Sequence, residues 1–285
     1  MTPLTPRSVE ILAKGIPLHA LERNPGGSPC VLFLHGWLDH AHGFDWLCDA
    51  LPPTWHTICL DFRGHGLSGH LPRGALYNFT DYLADVEGTL DELKIQSAHL
   101  VGHSLGGSVA LIYAAASPGR IASLTAIESL GTSGGAPANA VQRLRRFLSD
   151  LNKPLRKRTY PSVEAAAARV RENNSSYSEQ AAFHMAKFGT RPVAGGVEFT
   201  FDSAHRRHFG FSFDEDQILA ILEAIQCRVQ ILHGTSGFTF DDQLMVRRLA
   251  KLGSPTPIPI QGGHHVHLDS PGEVARHVQR FVEGA

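Results

Sequence analysis

The stretch that decides the fold is HLVGHSLGGSVALIYAAA, residues 99–116. A short apolar run, His99–Val101, leads into Gly102-His103-Ser104-Leu105-Gly106-Gly107, and the apolar segment Ser108–Ala116 follows directly. The first run has the length of a buried strand and the second the length and composition of a helix. Gly-x-Ser-x-Gly at a strand-to-helix corner forms a nucleophile elbow. The glycines admit a strained tight turn, and the serine Oγ stands at the top of the sheet near a helix N-terminus. Ser104 is therefore the candidate nucleophile, against the blander reading of a Gly-rich turn that happens to hold a serine.

Outward from the elbow, short apolar runs alternate with segments of helical spacing. Val31–Leu34, Thr57–Leu60, Ala98–Val101, Leu124–Ile127, Val229–Leu232 and the weaker Pro257–Ile260 read as strands, several of them continuous Val/Ile/Leu runs suited to burial on both faces. Val9–Ala13 and Ile16–Glu22 flank Lys14-Gly15 and read as an edge hairpin. Helices are expected over Phe79–Leu93, Leu105–Ala116, Asp241–Lys251 and Pro271–Glu283. This alternation predicts an α/β fold: a mostly parallel eight-stranded sheet flanked by helices, with right-handed crossovers. Residues 131–217 break the rhythm, are rich in Ala, Arg and Ser, and are too long for a loop. They are expected to form an inserted helical cap, with helices at Ala138–Leu151 and Val163–Asn173, on a core made of residues 1–130 and 218–285.

Composition narrows the function. The chain has 285 residues, 26 Lys+Arg against 27 Asp+Glu, and a formal net charge of −1, so nothing in the overall balance points to nucleic acid or an anionic membrane. A small-molecule substrate is the expected partner, with the protein a monomer or homodimer. Cys30, Cys48, Cys59 and Cys227 show no Cys-x-x-Cys spacing and read as free thiols of a reducing compartment. The N-terminus MTPLTPRSVEILAKG has no basic start followed by an apolar run, and no window reaches the roughly 18 apolar residues of a membrane span. A cytoplasmic location is expected.

Acyl transfer needs donors where an oxyanion develops. His35-Gly36-Trp37 follows the run Val31–Leu34, so the backbone N–H of Trp37 can serve with that of Leu105. Gly36 and His103 flank the elbow and are expected to line the substrate pocket, with Trp37 a further lining candidate. A serine at its ordinary pKa also needs a base, and His264-His265-x-His267 sits after the last strand and before a helix. Three close histidines invite a metal reading, but no companion ligand is placed by spacing apart from Asp269. No metal and no cofactor are expected.

The combination of His35-Gly36-Trp37, then Asp61-Phe62-Arg63-Gly64-His65-Gly66-Leu67-Ser68, then the Ser104 elbow, then a late Gly263-His264 pair resembles the α/β-hydrolase fold superfamily over nearly the whole chain. Within it the chain looks like the serine hydrolase-like group, on Ile127-Glu128-Ser129-Leu130-Gly131, on Arg191-Pro192-Val193-x-Gly195-Gly196, and on the run from Gly263 to Pro271. The resemblance selects His264 as base, with His267 the runner-up, and places His265 where relatives carry an aromatic ring. It implies that the segment from Asp61 to Ser68 organises a loop and is not a second catalytic site. Serine at the elbow, in place of aspartate, argues against dehalogenase or epoxide hydrolase chemistry.

The acid departs from the commonest pattern of these relatives, because His233-Gly234-Thr235-Ser236-Gly237 puts glycine where many carry aspartate. Some relatives take the acid from the strand after the nucleophile helix, and Glu128 stands there; Asp241 and Asp242 are the reserve. The expected function is a serine hydrolase of the carboxylesterase type, acting on a small ester or related acyl substrate through Ser104, His264 and Glu128. Two readings stay open beside it: a ligand-binding or sensor protein with little turnover, motivated by Gly237, and a C–C bond hydrolase or cofactor-free oxygenase on the same fold. Arg143, Arg145, Arg146, Lys153, Arg156, Lys157 and Arg158 make the start of the cap basic, read as a solvated face or as an attractor of anionic substrates. Phe183, Met185, Phe188 and Phe199 are expected in the core of the cap.

Overall fold

A computed structural model describes residues 4–284 except Arg156, Ser175, Thr239 and Phe240, and leaves aside the side chain of Asp242. The chain begins with the hairpin β1 (Arg7–Ala13) and β2 (Ile16–Arg23), then β3 (Cys30–Leu34), the short α1 (Asp45–Asp49), β4 (His56–Asp61) and α2 (Phe79–Glu92). The elbow unit follows as β5 (Ala98–His103), α3 (Leu105–Ala116) and β6 (Ile121–Ile127). Next come α4 (Ala140–Leu151), β7 (Thr159–Tyr160), α5 (Val163–Asn173), α6 (Glu179–Gly189), β8 (Thr190–Val193) and β9 (Gly196–Phe199). The core resumes with α7 (Glu215–Glu223), β10 (Arg228–Gly234), α8 (Asp242–Lys251), β11 (Ile258–Ile260), α9 (Val266–Asp269) and α10 (Pro271–Glu283).

The main sheet has eight strands in the order β1-β2-β4-β3-β5-β6-β10-β11. The β1–β2 and β2–β4 pairs are antiparallel and the others parallel. Because successive side chains of a strand face opposite ways, the central strands feed two cores. Leu32 and Leu34 of β3, Ile58 and Leu60 of β4 and Leu124 and Ala126 of β6 face the core that α2, α3 and α7 cover. Val31, Phe33, Cys59 and Ile127 face the other, closed by α1 and α10. Two buried faces are why these runs lack polar alternation.

β5 runs two residues beyond its expected end, because Gly102 and His103 still pair with Ala126 and Ile127 of β6. The elbow is thereby hung from the very end of a central strand. The inserted segment carries more than helices: β7, β9 and β8 form a three-stranded antiparallel sheet, in that order. Its strands are two to four residues long and one contains Pro192, too little for a period-2 pattern to register. Tyr160, Ala166, Ala167, Tyr177, Ala181, Ala182, Met185 and Ala186 form a separate core that also takes in Leu268 of α9. Phe183, expected in that core, is 41% exposed, and Phe188 stacks on His42 at 3.9 Å between ring centroids. Residues 215–217, expected in the insertion, are the first turn of α7, whose Ile218 and Leu222 belong to the core under the sheet.

The basic stretch is partly neutralised: Lys153 pairs with Asp150, Lys157 with Glu198, and the Arg158 guanidinium lies over the Tyr160 ring. Arg156 of that stretch lies outside the described residues. Cys30, Cys48, Cys59 and Cys227 are free thiols. Among the described residues no helix is long and apolar enough to cross a membrane.

Candidate active site

The elbow is built by close approach as much as by strain. Ser104 sits at φ 52°, ψ −112° between β5 and α3, a conformation that costs a non-glycine residue about 1–3 kcal/mol. Its N–H donates to the Ile127 carbonyl at 2.9 Å and its carbonyl accepts from Ser108 at 3.0 Å, so strand and helix both hold it. A Cβ on Gly106 would lie 2.0 Å from the Leu34 oxygen, and one on Gly102 2.4 Å from the Gly106 oxygen. The glycines of the motif therefore let α3 lie directly on β3 and β5.

His264 and Glu128 meet at this end of the sheet. Glu128, at φ 54° just past β6, is 3% exposed. Its Oε1 accepts from the N–H of Gly234 at 2.6 Å, and its Oε2 from the N–H of Phe238 at 2.7 Å and from His264 Nδ1 at 2.9 Å. A carboxylate only accepts, so Nδ1 of His264 carries the proton and Nε2 keeps the lone pair that a base needs. A Cβ on Gly237 would fall 2.3 Å from Glu128 Oε1. The space that a side chain at 237 would fill is thus occupied by a carboxylate arriving from the neighbouring strand. Residues 235–238 of the turn after β10 carry no acidic side chain, and the carboxylate in this space comes from the end of β6.

The other candidates lie elsewhere. Asp241 caps α8, accepting from the Leu244 N–H at 3.0 Å, and the Asp242 side chain lies outside the described residues. His267 is fully buried, its ring without a hydrogen-bond partner among the described residues, and burial pushes its pKa down to about 3. His265 packs on the Tyr177 ring at 4.1 Å and its Nδ1 accepts from the Asn174 amide at 3.1 Å, tying the loop to the inserted segment. Asp269 accepts from the Gly263 N–H at 2.9 Å and so shapes the turn that presents His264.

Across from this pair, the turn after β3 lies against the elbow, where a Cβ on Gly36 would lie 3.6 Å from Ser104 Cβ. Leu105 opens α3, where helical N–H groups have no intrahelical partner. His35 is fully buried and burial lowers its pKa. Its Nδ1 donates to the Gly36 carbonyl at 2.7 Å and its Nε2 accepts from the Phe62 N–H at 3.0 Å, which pins the turn to the end of β4. That role was invisible in the sequence. Trp37 is 52% exposed and donates from Nε1 to the His205 carbonyl of the inserted segment at 3.2 Å.

Gly36 and His103, expected to line the pocket, are both buried. His103 is walled in by the rings of His264, His265 and His267 at 4.8, 5.0 and 4.3 Å, and its Nε2 donates to the His264 carbonyl at 2.9 Å. It works behind the elbow, on the loop that carries His264. Asp61 organises its own loop, accepting from the N–H groups of Ala41 and Leu67 and from His19 Nδ1, while Arg63 pairs with Asp85.

Comparison with known proteins places the chain in a family. The sequence profile of the alpha/beta hydrolase fold family matches residues 29–271. A serine hydrolase-like protein of Danio rerio is 30% identical over 266 residues, covering 89% of this chain and 81% of that protein. The crystal structure of a hypothetical protein of Pseudomonas aeruginosa PAO1 is similar with a TM-score of 0.86 at 31% identity, covering 97% of this chain and 98% of that one. A thioesterase domain from the curacin biosynthetic pathway is similar with a TM-score of 0.87 at 25% identity, covering 99% and 100%. The chain belongs to the α/β hydrolase fold family, as a hydrolase that resembles the serine hydrolase-like group.

Proposed function

We propose that the protein is a carboxylesterase-like serine hydrolase that cleaves a small-molecule ester or related acyl compound through an acyl-enzyme. Ser104 Oγ attacks the acyl carbon while His264 Nε2 takes its proton. The backbone N–H groups of Trp37 and Leu105 receive the oxyanion, and His264 passes the proton to the leaving oxygen. Water, deprotonated by the same nitrogen, then releases the acid and restores Ser104. Glu128 holds the imidazole in the working tautomer and offsets the charge it gains. In this reading residues 131–214 act as a lid, held near its end by the Trp37 bond to the His205 carbonyl, and the lid sets which acyl groups enter.

The observation that carries the proposal is the Glu128–His264 contact of 2.9 Å, made inside the space beside Gly237. It weighs against the receptor without turnover that Gly237 had motivated, since a buried carboxylate from the other strand bonds His264. The test is hydrolysis of p-nitrophenyl esters of increasing chain length by wild type and Ser104→Ala. Turnover that disappears in the variant supports the reading, and the chain-length optimum sizes the site. Wild-type turnover no higher than that of Ser104→Ala overturns it.

A further inference from the structure

Beneath the elbow lies a cluster of buried groups that the proposed reaction does not use. Asp39 follows the turn after β3, His103 ends β5 and His267 lies on α9; they are 7%, 1% and 0% exposed. One ligand atom from each lies within 4.8 Å of the other two. Among the described residues, Asp39 Oδ2, His103 Nδ1 and both ring nitrogens of His267 are buried without a hydrogen-bond partner. A buried polar atom left so costs about 1–3 kcal/mol, and these four belong to three residues that lie together.

The hydrogen bonds around the cluster decide what it can bind. His103 Nε2 faces a carbonyl, which only accepts, so the proton is on Nε2 and Nδ1 presents a lone pair. Asp39 Oδ1 already accepts from the His40 N–H at 2.7 Å, leaving Oδ2 as a second acceptor. His267 can offer a lone pair from either nitrogen. Such a site repels an anion and suits a cation.

We propose that Asp39, His103 and His267 form a binding site for one divalent transition-metal cation of the zinc class. Two imidazoles and a carboxylate are a donor set for such an ion. Bonds of about 2.0–2.2 Å in a tetrahedral set completed by a water place ligand atoms about 3.4 Å apart, so separations of up to 4.8 Å must close by no more than about 1.4 Å, within reach of side-chain rotations. Two ligands are already oriented from outside, His103 through its bond to the His264 carbonyl and Asp39 through the His40 N–H, as metal ligands commonly are. The ion would join the turn after β3, the end of β5 and α9, and fix the loop that carries His264. Its role is structural, takes no part in the chemistry at Ser104, and stands whether or not the ester reading holds.

The experiment is calorimetric titration of chelator-treated protein with Zn²⁺, alongside the absorption spectrum of the Co²⁺-loaded wild type. The expected result is one equivalent bound, intense visible bands of a four-coordinate Co²⁺ site, and affinity at least 10-fold weaker in Asp39→Asn and in His267→Gln. His265→Gln and Glu128→Gln should bind as wild type does. Absence of stoichiometric binding by wild type overturns the proposal and leaves the cluster to a buried water. So does weak, six-coordinate Co²⁺ absorption, or binding that survives Asp39→Asn and His267→Gln but is lost in Glu128→Gln. The wild-type spectrum keeps the test decisive if a variant does not fold.

Discussion

Moving the acid is the sharpest perturbation the structure offers. Glu128→Gln keeps the volume but removes the charge that orients His264, and loss of a triad acid lowers kcat by about 10⁴-fold, roughly 5 kcal/mol of barrier. Glu128→Ala also strands the N–H groups of Gly234 and Phe238, at about 1–3 kcal/mol of stability each. Gly237→Asp alone should be worse than either, because its Cβ falls 2.3 Å from Glu128 Oε1 and two carboxylates would share one site. In the double variant Glu128→Ala/Gly237→Asp that conflict is gone. Gly237 does not have the left-handed φ that would strain an aspartate, and a carboxylate returns to the same space from the other strand. We expect the double variant to recover about 10- to 100-fold in kcat over Glu128→Ala, the non-additivity of residues in contact. Steady-state ester hydrolysis normalised by active-site titration, with thermal melts on the same samples, measures both terms. Glu128→Gln within 10-fold of wild type would refute the assignment of the acid. A folded double variant no faster than Glu128→Ala would refute the claim that carboxylate position, and not its strand of origin, is what matters.

Two further perturbations probe how the rest of the chain holds the site. His205 is 3% exposed, donates from Nε2 to the Arg63 carbonyl and accepts at Nδ1 from Tyr82, and burial lowers its pKa to about 4. Unfolded, it titrates near 6.5, so between these values the unfolded chain binds the extra proton. Its contribution, about 3 kcal/mol, is present above pH 6.5 and lost as the pH falls towards 4; urea unfolding at a series of pH values should show a shallower dependence in His205→Gln, and an unchanged slope would refute this. Arg248, 1% exposed, donates to both Glu215 oxygens at 3.1 and 2.6 Å and to the Leu130 carbonyl at 3.0 Å. Arg248→Ala should cost about 3 kcal/mol and lower the melting temperature by about 6–10 °C. A fall of less than 2 °C would show that this pair does not tie the exit of β6 to α7 and α8.

What could be read from sequence was what neighbouring residues decide among themselves. The elbow is contiguous: a strand ending at His103, the single residue Ser104 and a helix starting at Leu105, so the Leu105–Ala116 helix has the same ends in sequence and structure. The near-continuous apolar runs of β3, β4, β5 and β6 announced strands buried on both faces, and their alternation with helices announced a parallel sheet. Short strands in the inserted segment left no such trace, since β7 has two residues and β8 and β9 four each.

Questions that turn on distant residues were settled only by tertiary structure. His264 and His267 share one loop and local pattern, yet one reaches Glu128 while the other is buried under the elbow with Asp39 and His103. That the Glu128 carboxylate sits where Gly237 leaves room needed the adjacency of β6 and β10. His103, next to the nucleophile in sequence, turned out to face inward, because alternation along β5 fixes its side and the histidine loop closes over it. The sequence alone determined the elbow, the strand–helix order and the residue types available for chemistry, because these depend on short-range sterics and periodicity. Which of those residues touch was decided by strand order and loop closure, which bring together groups more than a hundred positions apart.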